Sequence, residues 1–319
     1  MTHPRHVDMA GGAEFDAIRS LLAIWGERAV GIGDDAAVLE VPAGELMVVS
    51  TDASVENVHF RRGWLTPEEI GARAAAAALS DLAAMAATPR GLLVALGIPY
   101  SWRGELTRLA SGVGSAAASA GCPIVGGNMS ASSELSLTIT VVGSAARPVS
   151  RAGARPGDII YVTGRLGGPG AAVRAFATGA TPAAAFRARF VEPVPRLREA
   201  QWLEQRGARA AIDISDGLLA DAAHLARASG VTIALDQAAV PCVDGVDVGN
   251  ALSSGEEYEL LVAVPSSVAV STEEFSRLFE IPLTAIGVAG VAGDEHVTMR
   301  GMPGGVSAGH DHLTSPPRR

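Results

Sequence analysis

Gly31-Ile32-Gly33-Asp34-Asp35, followed by Ser50-Thr51-Asp52, is the stretch around which the chain is organised. It places carboxylates and hydroxyls on a glycine-bracketed turn and at the end of a strand-like run, Leu46–Ser50. Further oxygen donors follow at wide intervals. Asp81 sits in an alanine-rich helical pattern, Asn128 follows a glycine pair, and Asp213 and Asp216 share Asp-Ile-Ser-Asp-Gly. Glu256 lies in Ser-Gly-Glu-Glu-Tyr. Each alone is a weak signal; together they describe one oxygen-lined pocket.

The 319 residues suggest two domains. The chain is 48% hydrophobic but only 4% aromatic, so Ala, Val, Leu and Gly carry the apolar load. That suits closely packed α/β layers. A net charge of −9 excludes the basic surface that a nucleic-acid binder needs. An acidic protein that handles anionic substrates must recruit cations to do so. Cys122 and Cys242 lack zinc-type spacing and read as small buried hydrophobes of a reducing cytoplasm. Met1 to Asp16 is polar, so no signal peptide is expected, and Asp81 and Arg90 interrupt the best membrane-span candidate.

In order, residues 1–13 read as a lead-in and Glu14–Trp25 as an amphipathic helix. Ala36–Val41 and Leu46–Ser50 read as strands joined at Pro42-Ala43-Gly44, the second delivering Ser50, Thr51 and Asp52 at its C-terminal end. Ala53–Trp64 is expected as a loop bearing His59. A helix starts at Thr66-Pro67-Glu68-Glu69 and runs to about Ala87. Asp81 in its apolar later half is either solvated surface or a ligand. Gly91–Ile98 and Leu135–Val142 read as strands, with a helix over Arg103–Ala120. A short strand Pro123–Val125 leads to Gly126-Gly127-Asn128, where glycines let backbone approach a ligand.

The expected domain boundary is at 145/146, in the proline- and arginine-rich segment Ala145–Pro156. Strands follow at Asp158–Thr163, Ala210–Ile214, Val231–Leu235, Tyr258–Val264 and Thr284–Val288. Helices are expected over Arg196–Arg206, from Ser215 or Asp216 to Ser229, and over Thr272–Phe279. His224 reads as packed, and His310-Asp311-His312 as a solvated tail. No dinucleotide fingerprint and no P-loop is present.

Magnesium takes near-octahedral oxygen coordination, usually one or two carboxylates plus phosphate and water. Asp34, Asp52, Asp81, Asp213 and Asp216 together therefore suggest several ions, and the scarcity of Cys and His argues against zinc or copper. Phosphoryl transfer fits, because its catalysis is positioning and electrostatic stabilisation. A phosphate acceptor is already ionised, so no strong general base is needed.

The ordered motifs resemble those of the thiamine-monophosphate kinases, a branch of the aminoimidazole-ribonucleotide synthetase-like family. They are Gly31-Ile32-Gly33-Asp34-Asp35, Ser50-Thr51-Asp52, Val58-His59-Phe60, Leu79–Met85, Gly126-Gly127-Asn128, Arg151–Asp158, Asp213–Leu218 and Gly255–Glu259. The resemblance implies an α/β, α+β-layered two-domain fold. An N-terminal domain (1–145) would bind ATP and magnesium and form a homodimer, and a C-terminal domain (146–319) would complete the site. It implies in-line, Mg2+-assisted phosphorylation of thiamine monophosphate by ATP to thiamine diphosphate, in the cytoplasm. Asp34, Ser50, Thr51, Asp52, Asp81, Asn128, Asp213 and Asp216 would hold metal, with Asp52, Asp81 and Asp216 catalytic. Gly127, Asn128, Arg151 and Ser215 would meet ATP, and His59, Glu256 and Leu313 the thiamine phosphate. Asn128 stands where many relatives carry Asp, and Ala110 and Leu313 where relatives carry aromatics. The alternatives are a sibling ATP-dependent synthetase acting on an amide or carboxyl oxygen, or a nucleotide- and magnesium-binding protein without turnover.

Overall fold

The computed structural model describes His6 and residues 11–301. The remaining residues, with most of the lead-in expected at 1–13, the His310-Asp311-His312 tail and Leu313, lie outside the described residues. Two compact units form: residues up to 82 with 87–147, and residues 83–86 with 148 onward. No helix among the described residues is long and apolar enough to cross a membrane.

The first unit contains α1 (Ala13–Trp25), β1 (Leu46–Val55), most of α2 (Pro67–Ala84), β2 (Thr88–Ile98), α3 (Leu106–Ser119), β3 (Ile124–Ala131) and β4 (Ser136–Ala145). Helix α2 begins with a reciprocal cap. Thr66 N–H donates to Glu69 Oε2 at 2.8 Å, and Glu69 N–H to Thr66 Oγ1 at 3.2 Å. Its alanines are buried around most of its girth, as suits a helix sunk in the core. The sheet runs β1-β4-β2-β3, antiparallel except for the parallel β2–β3 pair. A parallel pair needs a crossover, and α3 supplies it.

Three expectations change here. No strand covers 36–41; Val38 is 90% exposed. Apolar residues alone did not make a strand where no neighbouring strand pairs with the segment. Strand β1 runs on to Val55 because β4 pairs with it throughout, so Ser50, Thr51 and Asp52 lie mid-strand, not at its end. Gly126, Gly127 and Asn128 lie inside the edge strand β3, not in a loop after it.

The second unit contains β5 (Ile159–Thr163), α4 (Gly168–Ala177), α5 (Ala184–Val191), α6 (Leu197–Gln205), β6 (Ala210–Asp213), α7 (Leu218–Ser229), β7 (Val231–Asp236), α8 (Val248–Leu252), β8 (Leu260–Val264), α9 (Thr272–Phe279), β9 (Leu283–Val291) and β10 (Val297–Arg300). Its sheet order is β10-β7-β9-β5-β8-β6. Ile160, Val162, Ile212, Leu225, Ile233, Leu261 and Ile286 fill the core. Cys122 is buried, which pushes its thiol up to about 12; Cys242 is only half-buried. His224 projects into solvent from α7, contrary to the packed position expected.

Candidate active site

In the first unit, Gly31 (φ 61°) and Gly33 (φ 119°) hold the left-handed turn that presents Asp34. Asp34 is exposed, and its Oδ1 accepts the Asp35 N–H at 2.9 Å. Side chains alternate along β1. Ser50, Asp52 and Ser54 take the more buried face, whereas Thr51 takes the other and its hydroxyl pairs with that of Thr140 at 3.1 Å. Ser50 Oγ donates to Asp81 Oδ2 at 2.5 Å, so this face of β1 meets the last turn of α2. The expected ligands Ser50 and Asp81 are thus brought together, while the Thr51 hydroxyl points away from them.

Beyond β1 the chain folds back on itself. His59 N–H donates to Val55 O at 2.9 Å and Asn57 N–H to Phe60 O at 2.7 Å, and buried Phe60 anchors the turn. The Val55 N–H donates to His59 Nδ1 at 3.1 Å. In the neutral ring the proton therefore sits on Nε2. Gly127 is set by close packing: a Cβ there would lie 2.1 Å from Val94 O. Next to it Asn128 is exposed on the sheet edge. Ala110, named above as a departure from the family pattern, is buried, and its carbonyl accepts the Trp25 indole N–H at 2.9 Å.

In the second unit, Asp213 is the last residue of β6, and Ser215 and Asp216 follow in the turn before α7. Neither caps α7, contrary to expectation: Gly217 occupies the N-cap position with no side-chain cap. Instead Asp221, from the first turn of α7, reaches back. Its Oδ2 accepts from the N–H groups of Ser215, Asp216 and Gly217 at 3.1, 3.0 and 3.1 Å. Burial, then the charges of Asp216 and Asp213, push Asp221 up to about 8. The same turn ties down the Glu256 loop, since Glu256 N–H donates to Ser215 O at 2.7 Å and Tyr258 N–H to Ile214 O at 2.9 Å. Glu256 and Tyr258 both take left-handed backbone, φ 62° and 52°. Exposed Arg151 accepts the Ser229 hydroxyl on its backbone carbonyl at 2.9 Å.

Residues 33–145 match the family described as AIR synthase related protein, N-terminal domain, and residues 155–300 its C-terminal domain. The chain is 34% identical to the thiamine-monophosphate kinase of Salmonella typhimurium, over 95% of this chain and 96% of that one. The chain belongs to the thiamine-monophosphate kinase family. The crystal structure of the family member from Stenotrophomonas maltophilia K279a superposes with a TM-score of 0.79 at 31% identity, covering 94% of this chain and 99% of that one. A structure described as AaThiL complexed with AMPPCP and TMP superposes with a TM-score of 0.75 at 30% identity, covering 94% and 96%.

For a thiamine-monophosphate kinase family member, the donor set is telling. Ser50–Asp81 and Asp213–Asp216 offer hydroxyl and carboxylate oxygens, without thiol or imidazole. Among the described residues no three His, Cys, Asp or Glu side chains form a ready metal cage. Magnesium fits such a set better than zinc or calcium, because it takes few protein carboxylates and fills its shell with phosphate and water.

The Gly-Glu-Glu-Tyr-Glu motif holds more than its first acid. Glu259 is fully buried and accepts from Arg196 Nε and Nη2 at 2.8 and 2.6 Å, Arg189 Nη2 at 2.7 Å and Thr163 Oγ1 at 2.7 Å. Burial alone would raise it, but the two arginines win and hold it down to about 2. Glu257 Oε1 accepts the Gly167 N–H at 2.6 Å at the start of α4, while its Oε2 is buried without a hydrogen bond. Burial pushes it up to about 7 against the pull of Ser254, Gly167 and Arg189. Sequence reasoning stopped at Glu256 and missed Glu257, Glu259 and Asp221. For Asp221 the signal was present: an acid four residues after Gly217, where a helix first turn welcomes one.

Proposed function

We propose that this family member transfers the γ-phosphoryl group of ATP to thiamine monophosphate. A phosphate oxygen of the acceptor attacks Pγ in line, the bond from Pγ to the β–γ bridging oxygen breaks, and ADP and thiamine diphosphate result. The observation that carries this reading is the 34% identity with a thiamine-monophosphate kinase over 95% of the chain. The acceptor oxygen is ionised at neutral pH, so the step needs no strong general base.

Asp34, Ser50, Asp52, Asp81, Asn128, Asp213 and Asp216 would hold magnesium; the Thr51 hydroxyl, facing away, drops out of the set. When bound, the ions would supply neutralisation of phosphate charge. Asp52, Asp81 and Asp216 act by positioning, and Ser50 orients Asp81. The backbone at Gly127 and Asn128, with Arg151 and Ser215, would contact ATP. His59 would donate its Nε2–H to the thiamine phosphate, which Glu256 would also contact. Division of labour follows the two units, with nucleotide and magnesium binding centred on residues 1–145. The reading includes a cytoplasmic homodimer. Leu46, Met47 and Val49 on edge strand β1 are 62, 57 and 57% exposed, which supports pairing through the first unit.

Thiamine diphosphate formation from ATP and thiamine monophosphate, followed with and without magnesium, tests the reading. Folded protein that releases no thiamine diphosphate would overturn it. Sedimentation of the wild type beside Val49→Glu tests the dimer.

A further inference from the structure

We propose that Asp221 is a positioning residue of the kinase site, holding the turn that presents Asp213, Asp216 and, through Ser215, Glu256. The inference rests on the reading of Asp213 and Asp216 as magnesium ligands. Asp221 is 2% exposed and belongs to α7, whereas the groups it binds belong to the turn before that helix. One of its oxygens gathers three consecutive N–H groups, from Ser215, Asp216 and Gly217. Consecutive N–H groups turned to one side form the concavity that elsewhere receives a phosphate. Here the protein's own carboxylate fills it. That fixes the peptide planes on both sides of Asp216 and so the direction in which its side chain leaves the backbone.

The restraint extends across the loop. Ile214 and Ser215 offer their carbonyls to Tyr258 and Glu256, and Ile214 N–H donates to Glu259 O at 2.8 Å. The turn is held from α7 by its N–H groups and from the 256–259 segment by its carbonyls. Gly255 confirms how close these segments lie, since a Cβ there would come 2.7 Å from Ser215 O. Releasing Asp221 frees one side of this arrangement while leaving every expected ligand in the chain.

The test compares Asp221→Ala and Asp221→Asn with Asp216→Asn and with Leu225→Ala, a core residue one turn further along α7. Three readouts are taken: hydrogen exchange of the 215–217 amides in metal-free protein, the magnesium concentration that half-saturates the thermal shift with AMPPCP, and KM and kcat for thiamine phosphate. Asp221→Ala is expected to speed exchange at those amides and raise half-saturating magnesium, each about tenfold, since the hydrogen bonds that hold the turn are lost. KM should rise as well. Asp221→Asn keeps an oxygen acceptor and should recover most of the protection. Leu225→Ala should lower the melting temperature without moving the magnesium requirement. A normal magnesium requirement in Asp221→Ala beside a raised one in Asp216→Asn would overturn the inference alone. A normal requirement in Asp216→Asn would overturn the ligand reading and the inference with it. Should Asp221→Ala not fold, Asp221→Ser, whose oxygen falls short of the turn, carries the same expectations.

Discussion

Ser50 Oγ donates to Asp81 Oδ2 across 2.5 Å, joining the middle of β1 to the last turn of α2. A hydroxyl donating to a carboxylate at that distance is a strong, orienting hydrogen bond. Ser50→Ala should raise the magnesium needed for half-maximal rate by about tenfold while kcat falls little. Asp81→Asn should lower kcat by about two orders of magnitude or more. Magnesium titrations of initial rate separate the two, and an Asp81→Asn enzyme of normal rate would remove Asp81 from the ligand set.

His59 is fixed through Nδ1 by the Val55 N–H, which leaves Nε2–H as its donor. Substitution should therefore act on acceptor binding. His59→Ala is expected to raise KM for thiamine phosphate about tenfold with little change in kcat, and His59→Gln, which keeps a donor, to raise it less. An unchanged KM in His59→Ala would refute the assignment.

Glu257 and Glu259 should give the metal-free protein opposite pH signatures. Glu257 is raised from 4.5 to about 7, so the unfolded chain releases that proton first and stability falls as pH rises from 4.5 through about 7. Glu257→Gln should match wild type near pH 5 and exceed it at pH 8 by about 2–3 kcal/mol. Glu259 is lowered from 4.5 to about 2; its contribution is full above 4.5 and is lost as pH falls toward 2. Glu259→Gln strands Arg196 and Arg189 and should cost about 3–5 kcal/mol at neutral pH. Thermal and urea unfolding across pH check both.

Gly127 and Gly126 should differ sharply despite being neighbours. A Cβ at Gly127 meets the Val94 carbonyl at 2.1 Å, whereas one at Gly126 meets only Leu93 Cδ2 at 3.4 Å. Gly127→Ala should cost about 3 kcal/mol by forcing β3 off β2, and Gly126→Ala less than about 1 kcal/mol. Urea denaturation of the pair decides it.

Helix α2 was legible because its cap is written locally, in Thr66 and Glu69. The acids of the candidate site stand out in the sequence because oxygen donors are conspicuous in an apolar chain. The position of Ser50–Asp52 within β1 was not, since that strand's length is set by β4, more than eighty residues away. The glycine pair misled for a similar reason: Gly127 answers to a carbonyl on β2, which no local pattern reveals. Helix α5, with its short and weakly patterned sequence, offered little signal. Asp221 was missed because an acid in a helix first turn is ordinary, and only the fold shows its three N–H partners.

Glu256 and Tyr258 hold a backbone shape that glycine adopts freely and other residues resist, at roughly 1–2 kcal/mol each. The segment is thus wound like a spring whose catch is the ladder of contacts from Ile214 and Ser215. Tyr258→Gly would release that winding but also empty the space its ring fills in the core, where it is 8% exposed, so the packed aromatic is what keeps the coil wound.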